Sequence, residues 1–367
     1  MTVEKKISPT RNLHDLGQSL WLDNITRKLL TSGTLQRYIS ELSVTGLTSN
    51  PTIFDHAISK SDFYDNAIRT VHDAGTTSSE AIFFSLALED LQNAADLFRP
   101  VYDQTHGVDG FVSLEVSPLL AYDTAKTIAA AKELFARAKR PNLFIKIPGT
   151  SEGLPAIEEA IFSGIPVNVT LLFSAQQYVA AAEAYMRGIE RRIGAKLDPR
   201  VASVASVFIS RWDKAVMGKV PDTLRNKLGI AVACKTYKAY RDLLTGARWK
   251  KLLAAGAMPQ RLLWASTGTK DPSAPDTFYI TELAAPDTIN TMPEETLLAF
   301  ADHGKVGSVM TPNTALADKV LDQVAQVGFT VEKLGPQLQK EGAESFVKSW
   351  NDLLSVVEQK SSALAAS

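Results

Sequence analysis

The chain has 367 residues, of which 45% are hydrophobic and 22% are charged, so it can bury a large core. Its 39 basic and 40 acidic residues give a formal net charge of −1, which lacks the basic excess expected of a nucleic-acid-binding protein. Because Cys234 is the only cysteine, intrachain disulfides and multi-cysteine zinc sites are excluded, which fits a reducing compartment.

The amino terminus is charged and lacks the apolar centre of a signal peptide, and no run of 18 apolar residues occurs in the sequence. We therefore expect a cytoplasmic protein without membrane or nucleic-acid partners. The histidines are scattered without the spacing of metal ligands, so no metal is expected. These histidines are His14, His56, His72, His106 and His303.

Short β-branched or aromatic runs alternate with helical patterns along most of the chain, and this alternation predicts parallel βαβ units. The predicted strands cover residues 20–23, 44–47, 110–116, 143–147, 166–169, 202–209, 261–265 and 278–281. The main predicted helices between them cover residues 78–98, 123–138, 153–162, 175–193, 211–219 and 230–254.

Apolar residues at near-helical spacing after the last predicted strand indicate an amphipathic C-terminal helix, with its aromatic residues in the core. They are Leu334, Leu338, Phe346, Trp350, Leu353 and Val357. Eight strands are the number that closes a (β/α)8 TIM barrel, and the chain length accommodates one with additional helices. An open doubly wound sheet is the alternative, but no G-x-G-x-x-G or G-x-x-x-x-G-K-[ST] turn is present. We predict an N-terminal tail, residues 1–14, and one barrel domain, residues 15–367, that includes the C-terminal helix packed on the barrel.

One lysine interrupts an otherwise apolar strand, since residues 142–149 read NLFIKIPG with Lys146 at the centre. Burial disfavours the charged form of an amine, and a neutral amine attacks carbonyl groups to form Schiff bases. The alternative is a lysine at the strand end whose ammonium group reaches solvent.

Polar side chains also end or interrupt the other predicted strands, and in a barrel the carboxyl ends of the strands supply the catalytic groups. These side chains are Asp23, Thr48, Ser49, Asn50, Glu115, Asn168, Thr170, Ser206 and Arg211. Asp23 and Asn50 also suit helix caps, and Glu115 also suits a structural ion pair with Lys146. Arg211 and Lys270 are candidates either for ordinary surface residues or for a phosphate site, which on such barrels uses the loops after late strands.

Six segments, in chain order, resemble the transaldolase family: LGQSLWLDNITR, GLTSNPTIF, FVSLEVSP, NLFIKIPGT, GIPVNVTLLFS and SVASVFISRWD. The similarity is dense from Leu16 to about Asp213, and it continues more loosely through LLWASTGTKDP and DTFYITELAAPDTINTMP. The pattern resembles a longer-chain bacterial branch of this family, which belongs to the class I Schiff-base aldolases.

The resemblance implies transfer of dihydroxyacetone from sedoheptulose 7-phosphate to glyceraldehyde 3-phosphate in the pentose phosphate pathway, without a cofactor. Lys146 corresponds to the Schiff-base lysine, and Asp23 to the acid/base at the substrate C4 hydroxyl. Glu115 resembles the acid/base that works through a water molecule, and Thr170 the residue that helps to hold that water.

Substrate-binding positions are implied in the same way. Asn50 and Asn168 are similar to the amides that position the dihydroxyacetone unit, and Ser206 and Arg211 fall where the family binds the substrate phosphate. Many family members have a further phosphate-binding arginine after the seventh strand.

In place of that arginine this chain has Gly268, whose lack of a side chain excludes the role. We expect Ser266 and Lys270 to replace the arginine, although lysine offers a point charge rather than a fork. Two alternative functions stay open: an aldolase that releases free dihydroxyacetone, as in fructose-6-phosphate aldolases, and a non-catalytic barrel that binds sugar phosphates. A monomer or a homodimer is expected.

Overall fold

A computed structural model describes residues 8–365 of the chain. Its centre is a closed barrel of parallel strands, and the order of the strands around the barrel follows their order in the sequence. The strands are β1 Gln18–Asp23, β2 Val44–Thr48, β3 Val112–Glu115, β4 Leu143–Pro148, β5 Val167–Leu172, β6 Ser203–Phe208, β7 Gln260–Ala265 and β8 Thr288–Met292. The predicted (β/α)8 TIM barrel is confirmed.

Helices surround the barrel and connect its strands. They are α1 Pro9–Asp15, α2 Arg27–Thr31, α3 Thr34–Glu41, α4 Pro51–Ser59, α5 Asp65–Asp73, α6 Ser79–Gln104, α7 Thr124–Ala138, α8 Gly153–Phe162, α9 Ala175–Gly194, α10 Ser210–Val216, α11 Leu228–Thr245, α12 Ala247–Ala254, α13 Phe278–Glu282, α14 Glu294–His303, α15 Ala315–Gln326 and α16 Val331–Ala365. Two short 3-10 segments cover Pro118–Leu120 and Asp222–Leu224. None of the helices within residues 8–365 is both long and apolar enough to cross a membrane.

Side chains just before the helices supply N-terminal caps. Asp123 accepts a hydrogen bond from the backbone N–H of Lys126 at the start of α7. At α9, Ser174 and Gln177 form a capping box, in which each side chain accepts from the other residue's backbone N–H. Such caps pair N–H groups that have no partner within the helix, so they help to define the residues at which α7 and α9 begin.

Two segment predictions were wrong. Residues 278–281, predicted as the eighth strand, belong to α13, and the strand that closes the barrel is β8. β8 reads TINTM and lacks the apolar run that marks a strand, because Thr291 faces the polar end of the barrel. The predicted helix over residues 230–254 is divided into α11 and α12 at Gly246, whose backbone is extended.

The described part of the predicted N-terminal tail forms α1. Ser8 caps this helix by accepting a hydrogen bond from the backbone N–H of Arg11, and Leu13 is fully buried. Gly17, with φ of 99°, then turns the chain into β1. Residues 1–7 lie outside the described residues.

An apolar layer fills the barrel below its carboxyl end. Because strand side chains alternate, Trp21 shares the inner face of β1 with Asp23, and Phe144 shares that of β4 with Lys146. The layer comprises Trp21, Phe111, Phe144, Val204, Leu263 and Ile289. Phe111 and Phe144 stack with their ring centroids 4.1 Å apart. The polar groups at the carboxyl ends of the strands therefore pack on a buried apolar layer inside the barrel.

The C-terminal helix α16 packs along α4, α5 and α6 and reaches the end of β5, which confirms the predicted packing on the barrel. Trp350 packs edge-on against Phe83, with ring centroids 5.1 Å apart. Gln339 Nε2 donates to the backbone oxygens of Gly149, at 3.0 Å, and Leu171, at 2.9 Å. These bonds fasten α16 to the carboxyl ends of β4 and β5.

Candidate active site

A cavity of about 230 Å³ lies at the carboxyl ends of the strands. Eight predicted site residues line it: Asp23, Asn50, Lys146, Thr170, Ser206, Arg211, Ser266 and Lys270. The other two, Glu115 and Asn168, lie directly beneath this lining, beside Lys146 and Ser206. Residues from strands far apart in the sequence therefore meet in one place, as the barrel topology requires.

A second, larger cavity of about 600 Å³ lies outside the barrel between α11, α13 and α15. Its lining is mostly apolar and includes Cys234, Met310 and Leu316. None of the predicted site residues contributes to it. Its titratable side chains are Arg225, Lys227, Cys234 and Glu282, and among the described residues no ion pair joins any two of them. The smaller cavity is therefore the candidate active site.

Lys146 and Glu115 form a buried ion pair beside this cavity. The register of β3 and β4 pairs the two residues directly, and Lys146 Nζ lies 3.2 Å from Glu115 Oε2. Nζ also donates a 3.1 Å hydrogen bond to the backbone oxygen of Ser49. Since Lys146 is only 5% exposed, the alternative of an ammonium group that reaches solvent is wrong. Burial raises the pKa of the Glu115 carboxyl, and the nearby ammonium group opposes that rise.

Asp23 ends β1 and belongs to a chain of hydrogen bonds that joins the neighbouring strands β1, β2 and β8. Thr48 Oγ1 donates to Asp23 Oδ1 at 2.7 Å, and Thr291 Oγ1 lies 2.7 Å from Thr48 Oγ1. Burial raises the pKa of Asp23, while Lys146, the Thr48 hydrogen bond and Lys270 lower it. The alternative that Asp23 caps a helix is wrong, because Thr26 caps α2. A carboxyl group poised in this way can exchange a proton with a group in the cavity.

Asn50 both caps a helix and lines the cavity. Its side-chain oxygen accepts a 3.0 Å hydrogen bond from the backbone N–H of Ile53, which confirms the capping alternative. Pro51 occupies the first position of α4, where a missing N–H costs nothing. Because the cap uses the amide oxygen, the NH₂ group is what Asn50 can offer to a ligand.

Asn168 is fully buried, and its amide group is engaged on both sides. Its Nδ2 donates to Ser113 Oγ at 3.1 Å, and its Oδ1 accepts from Ser206 Oγ at 2.7 Å. By contrast, the buried Thr170 hydroxyl has no hydrogen-bond partner among the described residues. A buried hydroxyl without a partner indicates room for a water molecule or a substrate group.

The opposite end of the cavity is positive. Arg211 lies beside two neighbouring aromatic rings, with Cζ 5.5 Å from the Phe208 centroid and 5.9 Å from the Phe346 centroid. Within residues 8–365, no carboxylate pairs with its guanidinium group at ion-pair distance. Burial lowers the pKa of Arg211, and the more distant charge of Glu341 opposes this. A desolvated guanidinium group without an anion is suited to binding one.

Lys270 lies on the exposed loop after β7, and its Nζ lies 3.6 Å from the position that a Cβ atom at Gly268 would occupy. Asp271 holds this loop, since it accepts hydrogen bonds from Arg225 Nη2 at 2.6 Å and Asn226 Nδ2 at 2.8 Å. A second cation therefore lies near the place where the sequence lacks an arginine.

Ser266 also lines the cavity after β7, and its backbone is left-handed, with φ of 55°. Its hydroxyl lies 2.8 Å from the Ser210 hydroxyl. Of the two residues expected to replace the missing arginine, Lys270 alone carries a charge, so Ser266 can contribute only a neutral hydrogen bond.

Several residues that line the cavity were not predicted as site residues, among them Thr291, Phe208 and Phe346. Thr291 lies on β8, the strand that sequence patterns missed. Phe208 follows Ser206 on the inner face of β6, where the alternation of the strand could have indicated it. Phe346 comes from α16, and no local pattern distinguishes it from the core aromatics of that helix.

Within residues 8–365, no group of three or more histidine, cysteine, aspartate or glutamate residues is arranged to hold a metal ion. The groups that line the cavity or lie directly beneath its lining are instead the Lys146 amine, two carboxyl groups, hydroxyls, two amides and the cations Arg211 and Lys270. An amine next to a carboxyl group can form and hydrolyse an imine with a carbonyl compound, and the cations can hold a phosphate.

Comparisons with known proteins match nearly the whole chain. The family model described as transaldolase/fructose-6-phosphate aldolase matches residues 20–357. A transaldolase of Thermobifida fusca is 47% identical over 362 residues, covering 96% of this chain and 98% of its own length. A transaldolase of Parafrankia sp. is 45% identical over 361 residues, with 96% and 98% covered. Transaldolase 2 of Streptomyces coelicolor is 44% identical over 367 residues, with 97% and 98% covered.

Proposed function

Because the chain belongs to the transaldolase/fructose-6-phosphate aldolase family, we propose that its barrel transfers dihydroxyacetone from sedoheptulose 7-phosphate to glyceraldehyde 3-phosphate. The chain is an enzyme with transaldolase function, and the products of this reaction are erythrose 4-phosphate and fructose 6-phosphate. The observation that carries the proposal is the buried amine of Lys146, which lines the cavity with Glu115 at 3.2 Å. The pentose phosphate pathway is the metabolic context that this activity implies.

The covalent centre in this proposal is Lys146. Its neutral amine adds to the C2 carbonyl of the ketose phosphate, and loss of water gives a protonated imine. Asp23 then takes the proton of the C4 hydroxyl, the C3–C4 bond breaks, and the aldose phosphate leaves with an aldehyde at C4. The electron pair of the broken bond moves into the imine, which becomes a neutral enamine.

The second half of the reaction reverses these steps with the new acceptor. The enamine carbon attacks the aldehyde of glyceraldehyde 3-phosphate, and Asp23 returns the proton to the new hydroxyl. Water then adds to the imine carbon, and the C–N bond breaks to release fructose 6-phosphate and the amine. Raised pKa values keep both carboxyl groups suited to exchanging protons with the substrate and this water.

Glu115 and Thr170 support the steps that consume or release water. Glu115 reaches the imine nitrogen position directly, and the Thr170 hydroxyl is free to hold a water molecule. The carboxyl group donates a proton when the hydroxyl of the first adduct leaves as water, and accepts one when water attacks the imine.

The positive end of the cavity supports phosphorylated substrates. Arg211 and Lys270 both line the cavity and supply the charge that a phosphate requires. The Asn50 amide can donate to a hydroxyl of the dihydroxyacetone unit, since its oxygen is used by the cap. Asn168 holds Ser206 through its oxygen and donates one of its two amide N–H groups to Ser113, which leaves the second N–H for the dihydroxyacetone unit.

Borohydride trapping tests this proposal. We expect reduction in the presence of fructose 6-phosphate to leave a stable adduct that mass spectrometry locates on Lys146, with no adduct in Lys146→Met. Transfer is then measured as fructose 6-phosphate formed from sedoheptulose 7-phosphate, with and without glyceraldehyde 3-phosphate. Absence of any adduct under turnover conditions would contradict the covalent mechanism and favour a non-catalytic sugar-phosphate-binding barrel.

The same product assay separates transfer from aldol cleavage. An aldolase would release free dihydroxyacetone at a rate that does not depend on the acceptor aldose. We expect product formation to require the acceptor, because the relatives are transaldolases and the enamine stays attached to Lys146 until an aldehyde arrives.

A further inference from the structure

Phe346 is the one residue of α16 that lines the active-site cavity. Its ring centroid lies 5.8 Å from Lys146 Nζ and 5.9 Å from Arg211 Cζ, so the ring is close to both the amine and the guanidinium group. Its side chain is almost fully buried, with 5% exposure. Both distances lie within the range at which a cation is attracted to an aromatic face.

The helix that carries Phe346 is anchored on both sides of the ring. On one side, Gln339 donates to the backbone oxygens at the ends of β4 and β5. On the other side, Ser349 Oγ lies 2.7 Å from Thr52 Oγ1 at the start of α4. Polar contacts to the ends of β4 and β5 and to α4 therefore hold the helix segment that carries the ring.

The backbone of α16 also approaches the site closely. A Cβ atom at Gly342 would lie 3.2 Å from Arg211 Nη1 and 2.9 Å from Leu171 Cδ2. Glycine at this position lets the helix pack against the guanidinium group with little space between them. The Phe346 ring and the helix backbone at Gly342 together form an apolar wall of the cavity next to Lys146 and Arg211. We call this wall the cover.

A cover matters because the proposed enamine can be lost to water. If solvent delivers a proton to the enamine carbon, the enamine becomes an imine. Water then adds to the imine carbon, the C–N bond breaks, and dihydroxyacetone leaves with the amine restored on Lys146. Every such event spends the donor ketose without making the transfer product, so limited solvent access favours transfer.

We propose that Phe346 is a positioning residue that keeps solvent from the covalent intermediate on Lys146 and so determines the ratio of transfer to release of dihydroxyacetone. The inference rests on the proposed transaldolase function. It adds a role for a side chain outside the strands that carry the reacting groups.

The test is the ratio of free dihydroxyacetone to transferred product, measured with sedoheptulose 7-phosphate and glyceraldehyde 3-phosphate. We expect Phe346→Ala to raise this ratio about tenfold or more, since it opens the cover beside the imine. Phe346→Leu, which keeps an apolar side chain but not the ring, should give a smaller increase. Phe346→Tyr should stay close to the unchanged protein.

Trp350→Phe is the matched control, because Trp350 belongs to the same helix but packs on Phe83 away from the cavity. We expect this variant to lower thermal stability and leave the product ratio unchanged. If Trp350→Phe raised the ratio as much as Phe346→Ala, general loosening of α16 would explain the effect and the proposal would be wrong.

Borohydride trapping separates failure of this inference from failure of the proposed function. If the unchanged protein is trapped on Lys146 and transfers dihydroxyacetone, but Phe346→Ala and Phe346→Leu both keep its product ratio, the role of Phe346 is refuted alone. If the unchanged protein is never trapped, the covalent mechanism fails and this inference fails with it.

Discussion

Glu115 and Lys146 lie opposite each other on the neighbouring strands β3 and β4, with 3.2 Å between Oε2 and Nζ, and both side chains are buried. In Glu115→Gln, the amine keeps its bond to the Ser49 backbone, but the site loses the carboxyl group that we propose moves protons to and from water. We expect kcat to fall by roughly 10²-fold or more, the usual contribution of a general acid/base. Borohydride trapping should remain detectable, because the lysine is intact. An unchanged kcat would contradict the role of Glu115.

The Asp23→Asn variant should change both the activity and the thermal stability of the protein. Because burial raises the pKa of Asp23 above 3.8, the folded protein binds this proton more tightly than the unfolded chain. The stabilising contribution of the Asp23 carboxyl group is present below pH 3.8 and is lost as the pH rises through its raised pKa in the folded protein. We therefore expect Asp23→Asn to be inactive, yet more resistant to thermal unfolding than the unchanged protein at pH 7.

Asp15→Asn is the control, because the pKa of Asp15 is lowered where that of Asp23 is raised. Its hydrogen bond with Arg11 lowers the pKa of Asp15, so its contribution is present above pH 3.8 and is lost as the pH falls through the lowered value. We expect this exposed change to leave activity intact and to give no stabilisation at pH 7. Equal melting temperatures of Asp23→Asn and the unchanged protein at pH 7 would contradict the argument for Asp23.

Thr48→Val should change the pH dependence of the reaction. The hydroxyl of Thr48 donates a 2.7 Å hydrogen bond to Asp23 and lowers its pKa. Without that bond the pKa of Asp23 should rise further, so we expect the acid limb of the kcat/KM profile to move to higher pH. Thr48→Ser keeps the donor and should keep the profile. A profile of Thr48→Val that overlays the unchanged one would show that Asp23 does not control this limb.

Removal of the cations should weaken binding of phosphorylated substrates. We expect Arg211→Ala to raise the KM of both sugar phosphates by roughly 10²-fold, and Lys270→Ala by about tenfold, because Lys270 is more exposed and its charge is better screened. Arg211→Lys should recover only part of the loss, since lysine lacks the planar fork. Inhibition by inorganic phosphate gives an independent measurement. Unchanged KM values in Lys270→Ala would remove Lys270 from the phosphate site.

Sequence patterns predicted the barrel and most of its strand ends because both are marked by residues close to one another in the sequence. An apolar run with one polar residue, as at Lys146 or Glu115, indicates a strand and a candidate site residue at the same time. β8 escaped this reasoning because three of its five residues, Thr288, Asn290 and Thr291, are polar. Residues 278–281 are β-branched and aromatic, yet they bury Tyr279 and Ile280 from a short helix.

The rest of the site depends on contacts between distant parts of the chain. Nothing near Phe346 in the sequence shows that it meets Lys146 and Arg211, since the anchors of α16 lie on β4, β5 and α4. Likewise, the sequence does not show that Ser113 and Ser206 occupy both ends of the Asn168 amide. Long-range packing decides whether a polar residue binds substrate or supports a neighbour.

The position of α16 after every strand has a consequence for biosynthesis. On the ribosome all eight strands are translated before Phe346. If the barrel closes during that interval, the proposed Schiff-base lysine is open to carbonyl compounds in the cell. We expect ribosome-arrested chains that stop before Val331 to react with small aldehydes at Lys146 more readily than the finished protein does.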